Sequence, residues 1–162
     1  MKPIWAPWRL NYILDKSPKE GCVFCLGDEA SDRERLILCR GERAFVILNR
    51  FPYNVGHLLV APYRHISDLC DLDPEENREL TELICLSREV LKETMAPQGL
   101  NIGVNLGEAA GAGIADHLHW HLVPRWQGDT NFITVLGETR VIPQELSATY
   151  EMLSDAFAGR NS

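Results

Sequence analysis

The chain has 162 residues, 45% of them hydrophobic and 24% charged, enough for one domain with a substantial core, and no apolar run approaches the length of a membrane span. A formal net charge of −7 argues against a broad basic footprint on nucleic acid or an anionic membrane, and leaves room for a small anionic ligand held by local donors. Five cysteines, an odd count with one close pair, do not read as the framework of a secreted disulfide scaffold.

The opening "MKPIWAPWRLNYIL" is broken by Pro3 and Pro7 and carries Arg9, unlike a signal peptide, so the cytoplasm is the expected compartment. Residues 1–20 are read as an N-terminal arm of a single domain spanning 1–162. "RLILCR" (35–40) predicts a weak strand, and "RAFVILN" (43–49) and "GHLLVAPY" (56–63) predict stronger ones. The Pro, Asn and Gly of the intervening "RFPYNVG" make the latter two antiparallel neighbours. A helix starts with Asp73 as N-cap and Pro74 at the first position; Leu80, Leu83, Ile84, Val90 and Leu91 form its buried stripe, and Pro97 and Gly99 stop it. "LNIGVNLG" (100–107) predicts another strand. The loop "GEAAGAGIAD" (107–116) follows, small enough to let a ligand approach the backbone and to offer free N–H groups as an anion nest. Leu146, Tyr150, Leu153 and Phe157 mark an amphipathic C-terminal helix within 143–162, with a frayed tail.

Between the loop and that helix lies "HLHWHLVPRW" (117–126), with histidine at every second position. On a strand, His117, His119 and His121 share one working face while Leu118, Trp120 and Leu122 turn to a core. A half-exposed strand that merely carries three histidines is the alternative, but Thr or Lys would solvate such a face as well. "CVFC" spaces Cys22 and Cys25 for bidentate capture of zinc; His65 and one end of the triad are candidates to complete a four-ligand site. A redox pair or two small buried thiols remain open readings. Cys39, Cys70 and Cys85 are isolated.

The "HLHWHLV" motif resembles the signature of the histidine triad superfamily of nucleotide hydrolases and transferases, and "PYNVGHLLVAPYRH" is similar to that family's second landmark. "PRWQGDTNFITV", "WAPWR" and "EGCVFC" resemble the branch that includes diadenosine tetraphosphate phosphorylases. The resemblance spans about residues 5 to 155. It implies an α+β fold, with an antiparallel sheet of about five strands, a long helix and a C-terminal helix, assembled as a homodimer. It further implies His119 as nucleophile toward the α-phosphorus, forming a nucleotidyl-histidine, with His121 donating to a phosphate oxygen and His57 as the supporting histidine. Structural zinc on Cys22, Cys25, His65 and His117 is implied in the same way, with no organic cofactor. Asn49 matches a ribose contact and Asn105 a phosphate contact, while Phe51 is placed to flank a base. Trp126 either stacks on a second base or caps its strand. Relatives carry a polar side chain just before the triad where this chain has Ala112 and Gly113, leaving only backbone donors there and opening the choice between phosphate and water as acceptor.

Two rival chemistries accompany this reading. A catalytic zinc on all three triad histidines would need the third ring to curl inward, and no HExxH-type partner accompanies it. A nucleotide-binding module without turnover would fit the loss of the polar residue before the triad.

Overall fold

The computed structural model describes residues 21–26, 31–129 and 144–160. The arm at 1–20, most of "GDTNFITV" and the start of the expected C-terminal helical segment lie outside them.

Five antiparallel strands form one sheet in the order β1-β2-β3-β5-β4: β1 is Ile37–Arg40, β2 Ala44–Leu48, β3 Leu58–Pro62, β4 Gly99–Val104 and β5 Trp120–Arg125. β2 and β3, both wholly apolar runs, pair without a break from Ala44 opposite Pro62 to Leu48 opposite Leu58. Each expected strand is present but shorter at one or both ends. Ahead of β1, Ser31 caps a short helix α1 (Asp32–Arg35) in a reciprocal capping box with Glu34. Leu36, left-handed at φ 66°, ends that helix and delays the strand to Ile37.

The long helix α2 (Pro74–Met95) begins as its sequence predicts. The Asp73 side chain accepts from the N–H groups of Glu75 and Glu76, and Glu76 reaches back to the Asp73 N–H. Such a cap is worth about 1 kcal/mol. At the other end Ala96 adopts φ 46° just before Pro97, which forbids another helical turn. Leu80, Leu83, Val90 and Leu91 are buried against the sheet, each contributing about 1.5–3 kcal/mol, while Ile84 is half-buried at the edge of the stripe. Helix α3 (Leu146–Ala158) buries Tyr150, Leu153 and Phe157 on the same layer, and the Tyr150 hydroxyl donates to the Ile37 carbonyl 3.0 Å away.

Strand alternation gives the sheet two unlike faces. Ala44, Val46, Leu48, Leu58, Val60 and Leu122 meet α2 and α3 in the main core. Phe45, Ile47, Leu59 and Ala61 point the other way, and Phe24, from outside the sheet, packs with them. His121, opposite Leu59 in the ladder, stands on this second face.

Candidate active site and metal centre

The triad does not lie wholly on a strand. β5 starts at Trp120, so only His121 is in the ladder. The segment before it is held by the Leu118 N–H, which donates to the Ile66 carbonyl at 2.6 Å. His117 and His119 are also more enclosed than an exposed working face implies, at 1% and 5% exposure.

His117 joins the cluster suggested by "CVFC". Its Nδ1 lies 3.3 Å from Cys22 Sγ, 3.8 Å from Cys25 Sγ and 3.3 Å from His65 Nδ1, and Cys25 Sγ is 3.2 Å from His65 Nδ1. The four ligand atoms all fall within 4.8 Å of one another. A tetrahedral ion with N ligands at 2.0–2.1 Å and S ligands at 2.3 Å needs such spacings of about 3.3–3.8 Å. The His117 Nε2–H donates to the Pro62 carbonyl at 2.9 Å, which leaves Nδ1 bare and aimed at the cluster. Desolvation and then the neighbouring Cys22 sulfur raise the Cys25 thiol above its usual range, so a cation is what would make a pair of thiolates favourable here. The residues present therefore fit a metal ion.

His65 is steadied from behind. The Arg64 guanidinium donates through Nε and Nη2 to both Glu76 oxygens at 2.6 Å, and through Nη2 to the Asp71 carbonyl at 2.7 Å. Glu76 is 3% exposed, and the hydrogen-bonded Arg64 guanidinium holds its carboxyl below the usual range. The α2 cap and the His65 loop are thus one bonded unit.

His119 uses its other nitrogen. Its Nδ1–H donates to the His117 carbonyl at 2.8 Å, leaving the Nε2 lone pair free. Among the described residues Nε2 has no hydrogen-bond partner, and it is not one of the fully enclosed unpaired atoms. Burial lowers the affinity of this ring for a proton, against the opposing pull of the His117 carbonyl. A neutral, oriented imidazole with one accessible lone pair is a nucleophile.

His121 is set up as a donor by a chain of hydrogen bonds. Nδ1 of the buried His57 accepts from the Tyr53 N–H at 3.0 Å and from Asn49 Nδ2 at 3.2 Å, so its proton is on Nε2. That proton goes to His121 Nδ1 at 2.9 Å, which leaves His121 with hydrogen on Nε2. This Nε2–H is buried and has no partner among the described residues. Burial first, then the proximity of His119, push the His121 pKa down to about 4, so the ring donates as a neutral group. The His119 and His121 ring centroids are 4.9 Å apart.

Asn49 has its Oδ1 engaged by the Phe51 N–H and its Nδ2 by His57, so it is built into the support of the donor chain. Phe51 is exposed. Asn105 lies against the glycine loop, its Nδ2 3.9 Å from where a Cβ on Gly111 would be. In that loop the N–H groups of Ala110, Gly111 and Ala112 turn inward to the carbonyls of Gly107 and Glu108, while those of Gly113 to Asp116 bond nothing among the described residues. Gly113 lines an open depression of about 430 Å³ with Cys22, His65, Glu108 and Asp116, on the metal side of the triad. Trp126 donates from its indole to the Met95 carbonyl at the end of α2, and five residues of strand put it about 16 Å beyond His121.

Sequence reasoning passed over Tyr53 and Phe24. Tyr53, 44% exposed, lies nearly parallel to His121 at 5.6 Å and 4.6 Å from His57. Its position four residues before His57 in "PYNVGH" was the available signal. Phe24 packs 4.9 Å from His119 and 5.2 Å from His117, and its signal was an aromatic residue between two candidate ligands.

A family model described as the HIT domain matches residues 31–128. The chain is 40% identical to the AP-4-A phosphorylase of Mycobacterium tuberculosis (strain CDC 1551 / Oshkosh), over 98% of this chain and 85% of that one. It is 30% identical to the asymmetrical bis(5'-nucleosyl)-tetraphosphatase of Schizosaccharomyces pombe, over 76% of this chain and 68% of that one. Among solved structures, a Zn-bound histidine triad family protein from Mycobacterium smegmatis aligns with a TM-score of 0.63 at 29% identity, covering 78% of this chain and 86% of the other.

Proposed function

The chain belongs to the HIT family, and from that premise we propose that it is an enzyme that cleaves diadenosine tetraphosphate by phosphorolysis through a nucleotidyl intermediate on His119. Processing of dinucleoside polyphosphates is the activity carried in the names of both relatives, the phosphorylase and the tetraphosphatase. The observation that carries the mechanism is the opposed pair of nitrogens: an accessible lone pair on His119 Nε2 next to an unpartnered N–H on His121.

In this reading His119 Nε2 attacks the α-phosphorus, the phosphoanhydride P–O bond breaks, and ATP leaves. The positive charge that develops on the ring is held by the Nδ1–H bond to the His117 carbonyl. His121 donates to a phosphate oxygen as negative charge grows there, with His57 fixing its tautomer. A phosphate oxygen then attacks the same phosphorus, the N–P bond breaks, and ADP is released; water in its place would give AMP. The free N–H groups of Gly113 to Asp116 suit the phosphate chain, and Asn49, Phe51, Asn105 and Trp126 are assigned to the nucleoside ends.

Zinc is the ion assigned to Cys22, Cys25, His65 and His117, where it would brace the fold; the Zn-bound neighbour and the donor set support this. A reaction centred on a metal held by all three triad histidines is disfavoured, because the bare nitrogens of His117 and His119 are opposite ones facing different places. The outer edge of β4, with Asn101, Ile102 and Gly103 exposed, supports pairing of two sheets in a homodimer. Five free thiols support a cytoplasmic setting, and no described helix is long and apolar enough to cross a membrane.

The test is diadenosine tetraphosphate turnover with and without inorganic phosphate, resolved by chromatography. Phosphate-dependent ADP and ATP are expected, and product formation unchanged by omitting phosphate overturns phosphorolysis.

A further inference from the structure

Phe24 belongs to two sites at once. It lies between the cysteines of the metal cluster, yet its side chain is buried under the sheet, 2% exposed, with Phe45, Leu59 and Ala61. Its ring stands 5.2 Å from that of the ligand His117 and 4.9 Å from that of His119, tilted by 40° to the latter.

Among the described residues, the segment carrying it has few other attachments. The one backbone hydrogen bond of residues 21–26 among the described residues is internal, from the Cys25 N–H to the Cys22 carbonyl at 3.0 Å. Among the described residues, the polar contacts of this segment with the rest of the chain are those of the two thiols with His65 and His117. Phe24 is therefore kept in place by its own burial and by whatever draws the two sulfurs toward the two imidazoles.

His119, in turn, needs a second restraint. Its bond to the His117 carbonyl fixes one point of the ring, and a single hydrogen bond still lets the ring plane rock about that point. An aromatic side chain packed on the ring stops that motion, and among the described residues Phe24 is the aromatic side chain from outside the triad that stands within 5 Å of it.

We propose that Phe24 is a positioning residue for His119, and that a metal ion held by Cys22, Cys25, His65 and His117 sets the plane of the nucleophilic ring through it. This rests on His119 being the nucleophile. It would give the metal a part in the rate without contact with substrate: Cys22, Cys25, His65 and His117 would hold the ion, the held cysteines would keep Phe24 seated, and Phe24 would keep Nε2 aimed at phosphorus. Loss of aim by a fraction of an ångström slows attack while leaving substrate affinity nearly intact.

The experiment compares zinc-loaded wild type with Phe24→Leu, Phe24→Val and Phe24→Ala. It measures zinc content, KM, the single-turnover rate of nucleotidyl-histidine formation from diadenosine tetraphosphate, and the imidazole C–H resonances of His119. The expected result is full zinc content, KM within about threefold of wild type, and a rate falling in the order Leu, Val, Ala to about tenfold or more below wild type, with Leu within about threefold. Withdrawing zinc with a chelator should shift the His119 resonances in wild type and not in Phe24→Ala. Equal rates across the series, or the same shift in both proteins, overturns the proposal. Should the Ala variant not fold, Leu against Val decides by the same rate criterion. A wild type that forms no adduct fails the nucleophile reading itself, and the proposal with it.

Discussion

His117 and His119 are two residues apart, both nearly enclosed, and each donates one N–H to a backbone carbonyl. His117 meets the Pro62 carbonyl of β3 with Nε2 and turns Nδ1 to the thiols. His119 meets the carbonyl of His117 itself with Nδ1 and keeps Nε2. Burial lowers the proton affinity of both, so neither charge nor enclosure separates them. What divides the proposed metal ligand from the proposed nucleophile is which carbonyl each ring can reach.

The sharpest way to test that division is to damage one side and watch the other. Removing the donor beside His119 with His121→Ala should cut kcat by about 10²–10³ with zinc affinity unchanged, measured by steady-state kinetics and chelator competition. Damage to the opposite side comes from Glu76→Gln, which loosens the Arg64 fork behind His65 and should weaken zinc binding about 10–100-fold by the same competition assay. A smaller effect is expected from Gly56→Ala. Gly56 has φ +71°, and a Cβ there would lie 2.6 Å from Met95 Sδ, so calorimetry should find about 1–3 kcal/mol less stability. Because that turn carries Tyr53 and His57, kcat should suffer more than zinc affinity.

The smallest effect is on stability against pH. His121, facing His57, His119 and Tyr53, has its folded pKa pushed from 6.5 to about 4, so below pH 6.5 the unfolded chain binds the extra proton. Its contribution is therefore complete above pH 6.5 and lost as pH falls toward 4. Thermal unfolding should show a shallower acid slope in His121→Gln than in wild type, and parallel slopes would remove His121 from the account.

Much of this was legible in the sequence. The α2 cap, its buried stripe and the β2–β3 hairpin rest on local periodicity and turn chemistry, which a sequence displays directly. The convergence of Cys22, Cys25, His65 and His117 followed from resemblance, and the structure brings them together. Helix α1 was overlooked although Ser31 and Glu34 have capping-box spacing, because the apolar run after it reads as strand. The departure of residues 117–119 from the ladder was not legible, since it depends on a bond between Leu118 and Ile66, 52 residues apart in sequence. The packing of Phe24 on His119 spans 95 residues, and its one local sign is an aromatic residue between two candidate ligands.

The most direct measurement is long-range ¹H–¹⁵N spectroscopy of histidine-labelled, zinc-loaded protein between pH 7 and 8, with the triad assigned by single substitutions. Opposite tautomers are expected: hydrogen on Nε2 of His117 with Nδ1 on the metal, and hydrogen on Nδ1 of His119 with Nε2 bare. The same tautomer in both rings, or a hydrogen on Nε2 of His119, would contradict that division.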